Sequence, residues 1–168
     1  PWAAALPLVL AACATHAPAP DDAATTVVVL RHAEKAVGGD DPPLSEAGLA
    51  RADRIAEVFC TEGVRLAFAT QYRRTQQTAE PCARKAGIGV TADTLPKDFA
   101  AHAESLKSRI LANPGGRVLV VGHSNTVPIV VQALTGVTVA PIDEHEYGRW
   151  FEITIGPDGT GRLAERRY

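Results

Sequence analysis

Two apolar runs, each ending abruptly beside a histidine, are the feature that most constrains how this chain can fold. The run VVVL at residues 27–30 ends at Arg31-His32, and the run VLVV at residues 118–121 ends at Gly122-His123. Short, uninterrupted apolar runs are typical of strands that are buried on both faces, as in a parallel sheet. The carboxyl ends of parallel strands lie at one edge of the sheet, so both histidines are expected at that edge. Ligands of such sheets bind at the same edge.

Helix-like segments separate the strand-like segments from residue 25 onward. The predicted strands are TTVVVL, VRLAFAT, IGVTA and RVLVVGH, and residues 147–168 are expected to form two more strands around a turn at residues 156–159. The predicted helices are SEAGLARADRIAEVFC, YRRTQQTAEPCARKAG, DFAAHAESLKSRILAN and SNTVPIVVQALTG. This alternation predicts an α/β three-layer sandwich with a mostly parallel sheet.

Local signals refine the first two helices. Ser45 is expected to cap the first helix, and Pro81 is expected to bend or split the second. Gly87 is expected to end the second helix. The apolar face of the first helix is expected to contain Leu49, Ile55, Val58 and Phe59.

Length, apolar content and charge set the broad class of the protein. The chain has 168 residues, of which 46% are apolar, and this is enough for one compact core at residues 25–168. The net charge is −2, and the 17 basic residues are scattered rather than concentrated on one segment. A nucleic-acid partner is therefore not expected, because such binding needs a concentrated basic face.

The first residues have a different character from the rest of the chain. Residues 1–12 are apolar but too short to span a bilayer, and we interpret them as a secretory signal that is truncated, since no positively charged start or methionine is present. The string LAAC, which ends at Cys13, resembles a bacterial lipobox, although an alanine-rich leader cleaved at another small residue is the alternative. A lipidated Cys13 and a flexible tether at residues 13–24 would anchor the domain to a periplasmic membrane surface. Ala14 favours the outer membrane by its resemblance to sorted lipoproteins.

Export would place the remaining cysteines in an oxidising compartment. With Cys13 assigned to lipid, Cys60 and Cys82 form an even pair, and a disulfide between them is a hypothesis. Two buried free thiols are the alternative.

Arginine beside histidine at a strand end suits phosphate chemistry. The planar guanidinium group donates two parallel hydrogen bonds to phosphate oxygens, and a helix N-terminus adds further donors. Positive charges also lower the pKa of a neighbouring imidazole and so keep it neutral and nucleophilic. The strand ends deliver Arg31 and the pair Arg73-Arg74, and a histidine between such arginines is suited to attack phosphorus.

Three segments together resemble the motifs of the histidine phosphatase superfamily, the relatives of cofactor-dependent phosphoglycerate mutase. RHAE at residues 31–34 resembles its RHG or RHA signature, RTQQTA at residues 74–79 resembles its R-x-x-Q-T-A segment, and GHSN at residues 122–125 resembles its second histidine motif. The resemblance implies a phosphoglycerate mutase-like fold and a phosphohydrolase (phosphomonoesterase) that acts through a phosphohistidine. It implies no metal and no other cofactor, and a small phosphorylated substrate.

The resemblance also assigns roles residue by residue. His32 would be the nucleophile that becomes phosphorylated. Glu34 would support the site from behind. The residues that would contact the phosphoryl group are Arg31, Arg74, His123 and Asn125.

The general acid is where this sequence departs from the family pattern. One branch places an acidic residue straight after the second histidine, but here that residue is Ser124. The other branch uses a glutamate after the third strand within a recognisable segment that is missing here. Asp93, Asp98 and Glu104 are the candidates, and Asp98 is preferred, with a helix N-cap as its alternative role.

Other readings of the same residues remain open. Ser124, Asp143 and His145 follow the order of an α/β-hydrolase triad, but Thr126 stands where the nucleophile motif requires glycine. A binding lipoprotein that has lost turnover and a mutase are further alternatives. The run at residues 143–146 lacks the spacing of metal ligands and is read as a solvated loop, and His102 and His145 are read as surface residues.

Overall fold

A six-stranded sheet with helices on both faces makes up residues 24–60 and 63–167, the part of the chain that the computed structural model describes. The predicted signal segment and Cys13 lie outside these residues. In chain order the elements are β1 (Thr25–Arg31), α1 (Glu46–Phe59), β2 (Val64–Thr70), α2 (Arg73–Ala86), β3 (Val90–Asp93), α3 (Phe99–Leu111), β4 (Arg117–Gly122), α4 (Val127–Thr135), β5 (Arg149–Ile155) and β6 (Gly161–Arg167). None of these helices is both long and apolar enough to cross a bilayer.

The sheet is mostly parallel, as predicted. Its strand order is β3-β2-β4-β1-β5-β6, and the first four of these strands run parallel to one another. The last two, β5 and β6, pair antiparallel. The strand β5 therefore begins, rather than ends, at the edge where β1 and β4 end, and the segment before β5 reaches that edge as well.

Side chains of the central strands alternate between two apolar cores. Val27 and Val29 of β1 pack in the core beneath α3 and α4, whereas Val28 and Leu30 pack in the core beneath α1 and α2. Both cores are fully buried along β1, which explains why its sequence is an apolar run rather than an alternating pattern.

The helix α1 differs from its predicted face. Ser45 caps it as expected, since its hydroxyl accepts a hydrogen bond from the N–H of Gly48 at 3.1 Å. The prediction that Leu49 and Val58 belong to the buried face was wrong, because both are about half exposed. Small residues let α1 pack closely, and its buried residues are Gly48, Ala52, Ile55, Ala56 and Phe59.

Pro81 lies inside α2, which continues as one helix on both sides of it. The alternative in which Pro81 splits this helix is therefore wrong. Gly87 ends the helix in the left-handed conformation (φ 69°), as expected for a glycine in that position.

A disulfide joins Cys60, the C-cap of α1, to Cys82 in α2. The two Cα atoms are 5.4 Å apart, and both residues are buried. The bond lies in the same core as Phe59 and Trp150, whose rings are 4.1 Å apart between centroids. It fixes α1 against α2, the two helices that cover one face of the sheet.

We expect the double variant Cys60→Ala/Cys82→Ala to unfold at a lower urea concentration than the wild type. A cross-link between residues 22 apart in sequence limits the freedom of the unfolded chain, and its loss is expected to cost about 3 kcal/mol. Wild-type protein kept in reducing agent is the control, because it loses the bond without changing a side chain. Equal urea midpoints for the oxidised wild type and the double variant would contradict the prediction.

Candidate active site

The pairing of β1 with β4 brings two histidines side by side. Arg31 lies opposite Gly122 in the parallel ladder, and the N–H of His32 donates to the carbonyl oxygen of Gly122 at 2.9 Å. His32 and His123, the next residues after the two strands, have ring centroids 5.3 Å apart and planes inclined by 68°. Both are almost completely buried, so they face each other in a largely dehydrated site.

The Nδ1 atom of His32 lies 2.7 Å from the carbonyl oxygen of Ala33. A carbonyl oxygen can only accept a hydrogen bond, so in this arrangement Nδ1 carries the proton. The other ring nitrogen, Nε2, then keeps its lone pair. His32 is thereby held in the tautomer that a nucleophile needs.

Hydroxyl groups hold the second histidine. His123 Nε2 lies 2.9 Å from the hydroxyl of Thr70 at the end of β2, and that hydroxyl lies 2.9 Å from the hydroxyl of Thr75 in α2. Thr75 in turn donates to the backbone carbonyl of Tyr72 at 2.8 Å. This chain of hydrogen bonds orients the His123 ring and ties α2 to the site.

Burial keeps both histidines neutral. Burial is the main cause that lowers the pKa of His32 from its ordinary value of 6.5 to about 4, with the positive charges of Arg31 and Arg74 adding to the effect. The bond to Ala33 acts in the opposite direction. The pKa of His123 is lowered to about 3, again mainly by burial and then by His32 and both arginines.

Arg31 is held by the loop that precedes β5. Its Nη1 donates to the backbone carbonyls of Asp143 at 2.7 Å and Glu144 at 2.6 Å, and its guanidinium group lies over the ring of Tyr147, 4.4 Å from the centroid. The side chains of residues 143–145 are exposed, as predicted for a solvated loop. The carbonyls of Asp143 and Glu144, however, orient a buried arginine, a role that the sequence analysis missed.

Arg74 lies in the first turn of α2. Its guanidinium group stacks on the ring of Tyr72, 4.4 Å from the centroid, and its Nη1 lies 3.6 Å from Asp41. The same Asp41 carboxylate accepts the N–H of Arg73 at 3.0 Å, at the start of the helix. The Nε atoms of Arg74 and of Arg31 are buried and have no hydrogen-bond partner among the described residues, so each is a donor that a bound anion can satisfy.

The RTQQTA segment also anchors the loop after β1. Thr78 accepts the N–H of Ala33 at 3.0 Å, and the side-chain oxygen of Gln77 accepts the N–H of Leu44 at 2.7 Å. The motif therefore supplies one arginine to the site and two side chains that fix the backbone next to the nucleophile.

Glu34 faces α1 rather than the histidines. Its carboxylate accepts hydrogen bonds from Arg51 at 2.6 to 3.0 Å, and these bonds lower the pKa of Glu34. Its backbone carbonyl accepts from Ser45, and a Cβ atom added to Gly48 would lie only 2.1 Å from that carbonyl oxygen. Glu34 thus joins the loop after β1 to α1. This position agrees with the predicted role of Glu34 in supporting the site without contacting the phosphoryl group.

Of the three carboxylates that were candidates for the general acid, two are engaged elsewhere and one is exposed. Asp98 caps α3, where it accepts the N–H of Ala101 at 3.0 Å. Asp93 pairs with Arg109, and Glu104 is an exposed residue of α3. Among the described contacts, none joins these three carboxylates to His32 or His123.

The other residues singled out in the sequence lie outside the histidine pair. Asn125 is exposed in the turn after His123, a turn that Thr126 closes by accepting the His123 N–H at 2.9 Å. His102 is half buried and borders a small cavity beside Thr70. Within the described residues, no group of three or more histidine, cysteine or acidic side chains could hold a metal ion.

The hydrolase triad read from the sequence is not assembled. Asp143 accepts the backbone N–H of His145 at 2.9 Å, and no contact among the described residues joins either one to Ser124.

The sequence model of the histidine phosphatase superfamily (branch 1) matches residues 27–96, and curated protein sequences give no significant match. Among solved structures, the fold is similar to the protein histidine phosphatase SixA complexed with tungstate, with a TM-score of 0.66, 20% identity, and coverage of 84% of this chain and 96% of that one. It is also similar to a mycobacterial glucosyl-3-phosphoglycerate phosphatase bound to VO3, with a TM-score of 0.66, 18% identity, and coverage of 85% and 98%. A phosphoserine phosphatase from Entamoeba histolytica has a TM-score of 0.65 at 13% identity, with coverage of 86% and 97%.

At these identities the structural similarity establishes the fold, and the sequence match covers the first two motifs. Together they bear out the predicted resemblance to the histidine phosphatase superfamily, by sequence over residues 27–96 and by fold over most of the chain.

We expect neither His32 nor His123 to titrate near pH 6.5 in the folded protein. The lowered pKa values, about 4 and about 3, keep both rings neutral down to about pH 5. The unfolded chain takes up these protons near pH 6.5 and the folded chain does not, so the free energy of unfolding is expected to fall as pH decreases from 6.5 towards 4. NMR titration of the ring protons, assigned with His32→Ala and His123→Ala, is the measurement, and a midpoint near 6.5 for either ring would contradict it.

Proposed function

We propose that this protein is a metal-independent histidine phosphatase, a phosphohydrolase that acts on small phosphorylated substrates through a phosphohistidine intermediate. The observation that carries the proposal is the surroundings of His32. A buried, neutral imidazole with a free Nε2 lies beside a second histidine and between two arginines whose Nε donors lack partners. Such a site attracts a phosphoryl group and presents a nucleophile to it.

The reaction follows from the roles of these groups. The lone pair of His32 Nε2 forms a bond to phosphorus while the bond from phosphorus to the leaving oxygen breaks. Arg31, Arg74 and His123 stabilise the charge on the transferring group. A water molecule then attacks the phosphorus, the N–P bond breaks, and phosphate is released with His32 restored. Asn125, in the exposed turn, is proposed to contact the phosphate or the rest of the substrate.

The step for which the described site offers no well-placed group is protonation of the leaving oxygen. Asp98 remains our predicted acid, although it caps a helix in this structure. Substrates with a good leaving group need such an acid less, and phosphoramidates and acyl phosphates belong to this class. Two of the similar structures are named as phosphatases of glucosyl-3-phosphoglycerate and of phosphoserine, and SixA is named as a protein histidine phosphatase. These names support phosphorylated small molecules or phosphohistidine as substrates.

The first test is hydrolysis of p-nitrophenyl phosphate, with EDTA present throughout. We expect activity that survives the chelator and is lost in His32→Ala. Removing one charge-stabilising donor in Arg74→Gln is expected to lower kcat/KM by roughly a hundredfold or more. Ser124→Ala is the matched control and is expected to retain activity, which also excludes the esterase reading.

The outcomes separate the alternatives. Vanadate binding without hydrolysis of any phosphorylated compound would favour a binding protein that has lost turnover. The absence of both vanadate binding and hydrolysis would overturn the phosphatase proposal.

We also propose that a lipidated Cys13 holds the domain on the periplasmic side of a bacterial membrane, the outer membrane in particular. The lipobox-like string before Cys13 supports this proposal, and a disulfide is suited to an oxidising compartment. Mass spectrometry of the membrane-fraction protein should find Cys13 as the first residue with attached acyl chains. An unmodified Cys13 in a released protein would contradict the anchor.

A further inference from the structure

The two histidines belong to a continuous row of four aromatic rings. Tyr72 contacts His123 edge-on, with centroids 5.3 Å apart and planes at 89°, and His123 contacts His32 at 5.3 Å. Tyr147 lies beside His32, with centroids 6.3 Å apart. Each histidine of the pair therefore has one tyrosine ring next to it.

Each tyrosine ring also stacks against one of the two arginines. The guanidinium carbon of Arg74 lies 4.4 Å from the centroid of the Tyr72 ring, and that of Arg31 lies 4.4 Å from the centroid of the Tyr147 ring. The tyrosines come from different parts of the chain, the start of α2 and the loop before β5. The same arrangement of tyrosine, arginine and histidine thus occurs on both sides of the site.

A ring face holds an arginine in a way that a carboxylate does not. A carboxylate would bond the N–H groups at the edge of the guanidinium and neutralise its charge. An aromatic face contacts the flat side of the guanidinium, restricts its orientation, and leaves the N–H donors in the plane available. Within the described residues, both arginines retain a buried Nε donor without a partner, and Arg74 forms only a long ion pair with Asp41, at 3.6 Å.

We propose that Tyr72 and Tyr147 are positioning residues, whose rings hold Arg74 and Arg31 in the orientation that grips a phosphoryl group from two sides of His32. This inference rests on the proposed phosphatase function. The ring, rather than the phenol hydroxyl, supplies the stacking surface. Phenylalanine should therefore replace either tyrosine, and leucine should not.

The test is the inhibition constant of vanadate, together with kcat and KM for p-nitrophenyl phosphate. In Tyr72→Leu and Tyr147→Leu we expect the vanadate constant to rise and kcat/KM to fall by roughly 3- to 20-fold, the range of a cation–π contact. Tyr72→Phe and Tyr147→Phe should restore the wild-type constants to within about twofold. Thermal unfolding of each variant, with and without vanadate, shows whether the effect is confined to the site.

A double-mutant comparison links each ring to its arginine. Lysine keeps the charge but lacks the planar group that stacks, so Tyr147→Leu should add little further loss to Arg31→Lys, and Tyr72→Leu little to Arg74→Lys. Full additivity, wild-type behaviour of the leucine variants, or equal losses in the phenylalanine and leucine variants would overturn the positioning role in an active enzyme. A wild type that neither binds vanadate nor hydrolyses the ester would instead overturn the phosphatase proposal itself.

Discussion

The parallel pairing of β1 with β4 is the constraint on which the rest of the site depends. The ladder sets Arg31 opposite Gly122, and the bond from the His32 N–H to the Gly122 carbonyl extends it by one residue. Because successive side chains of a strand point to opposite faces, a slip of one residue would turn one histidine away from the other. The apolar side chains that anchor this register, buried on both faces, are therefore as necessary to the site as the histidines.

Positive charge held in a buried place is the second constraint on the site. Two arginines and two neutral histidines meet at the sheet edge, and no carboxylate among the described residues forms a close pair with Arg31. A carboxylate at that position would stabilise the resting protein, but it would also raise the pKa of His32 and occupy the N–H donors. Backbone carbonyls and ring faces avoid both effects. They hold Arg31 without cancelling the charge that a phosphoryl group would meet.

The sequence was sufficient for the parts of the molecule that local patterns encode. Apolar runs predicted the central strands, and the rule that ligands bind at the carboxyl ends of strands brought His32 and His123 together correctly. Patterns of spacing were less reliable where side-chain size decides the packing. Leu49 and Val58 have a suitable spacing but lie outside the buried face, since glycine and alanine permit closer contact between α1 and the loop after β1.

The contributions of β5 and of the carboxylates could not be read from local patterns. Tyr147 and the carbonyls of the loop before it reach the site only because β5 runs antiparallel to β1, and strand direction is a property of the whole sheet. From its position in the sequence, Asp98 could be either the general acid or the N-cap of α3. In the structure it caps α3, and its catalytic role stays a prediction.

The fixed tautomer of His32 connects the backbone to the direction of the reaction. The Ala33 carbonyl holds Nδ1, the Thr78 hydroxyl holds the Ala33 N–H, and the Glu34 carbonyl is held in turn by Ser45 at the start of α1. In the proposed reaction Nε2 therefore has one direction in which to attack, and an in-line displacement would put the leaving group on the far side of phosphorus. Within the described contacts, no acid candidate reaches the histidine pair from the positions that the third strand and third helix give them. Discrimination among substrates is thus expected to depend on how readily the leaving oxygen departs, as well as on how well the rest of the substrate fits.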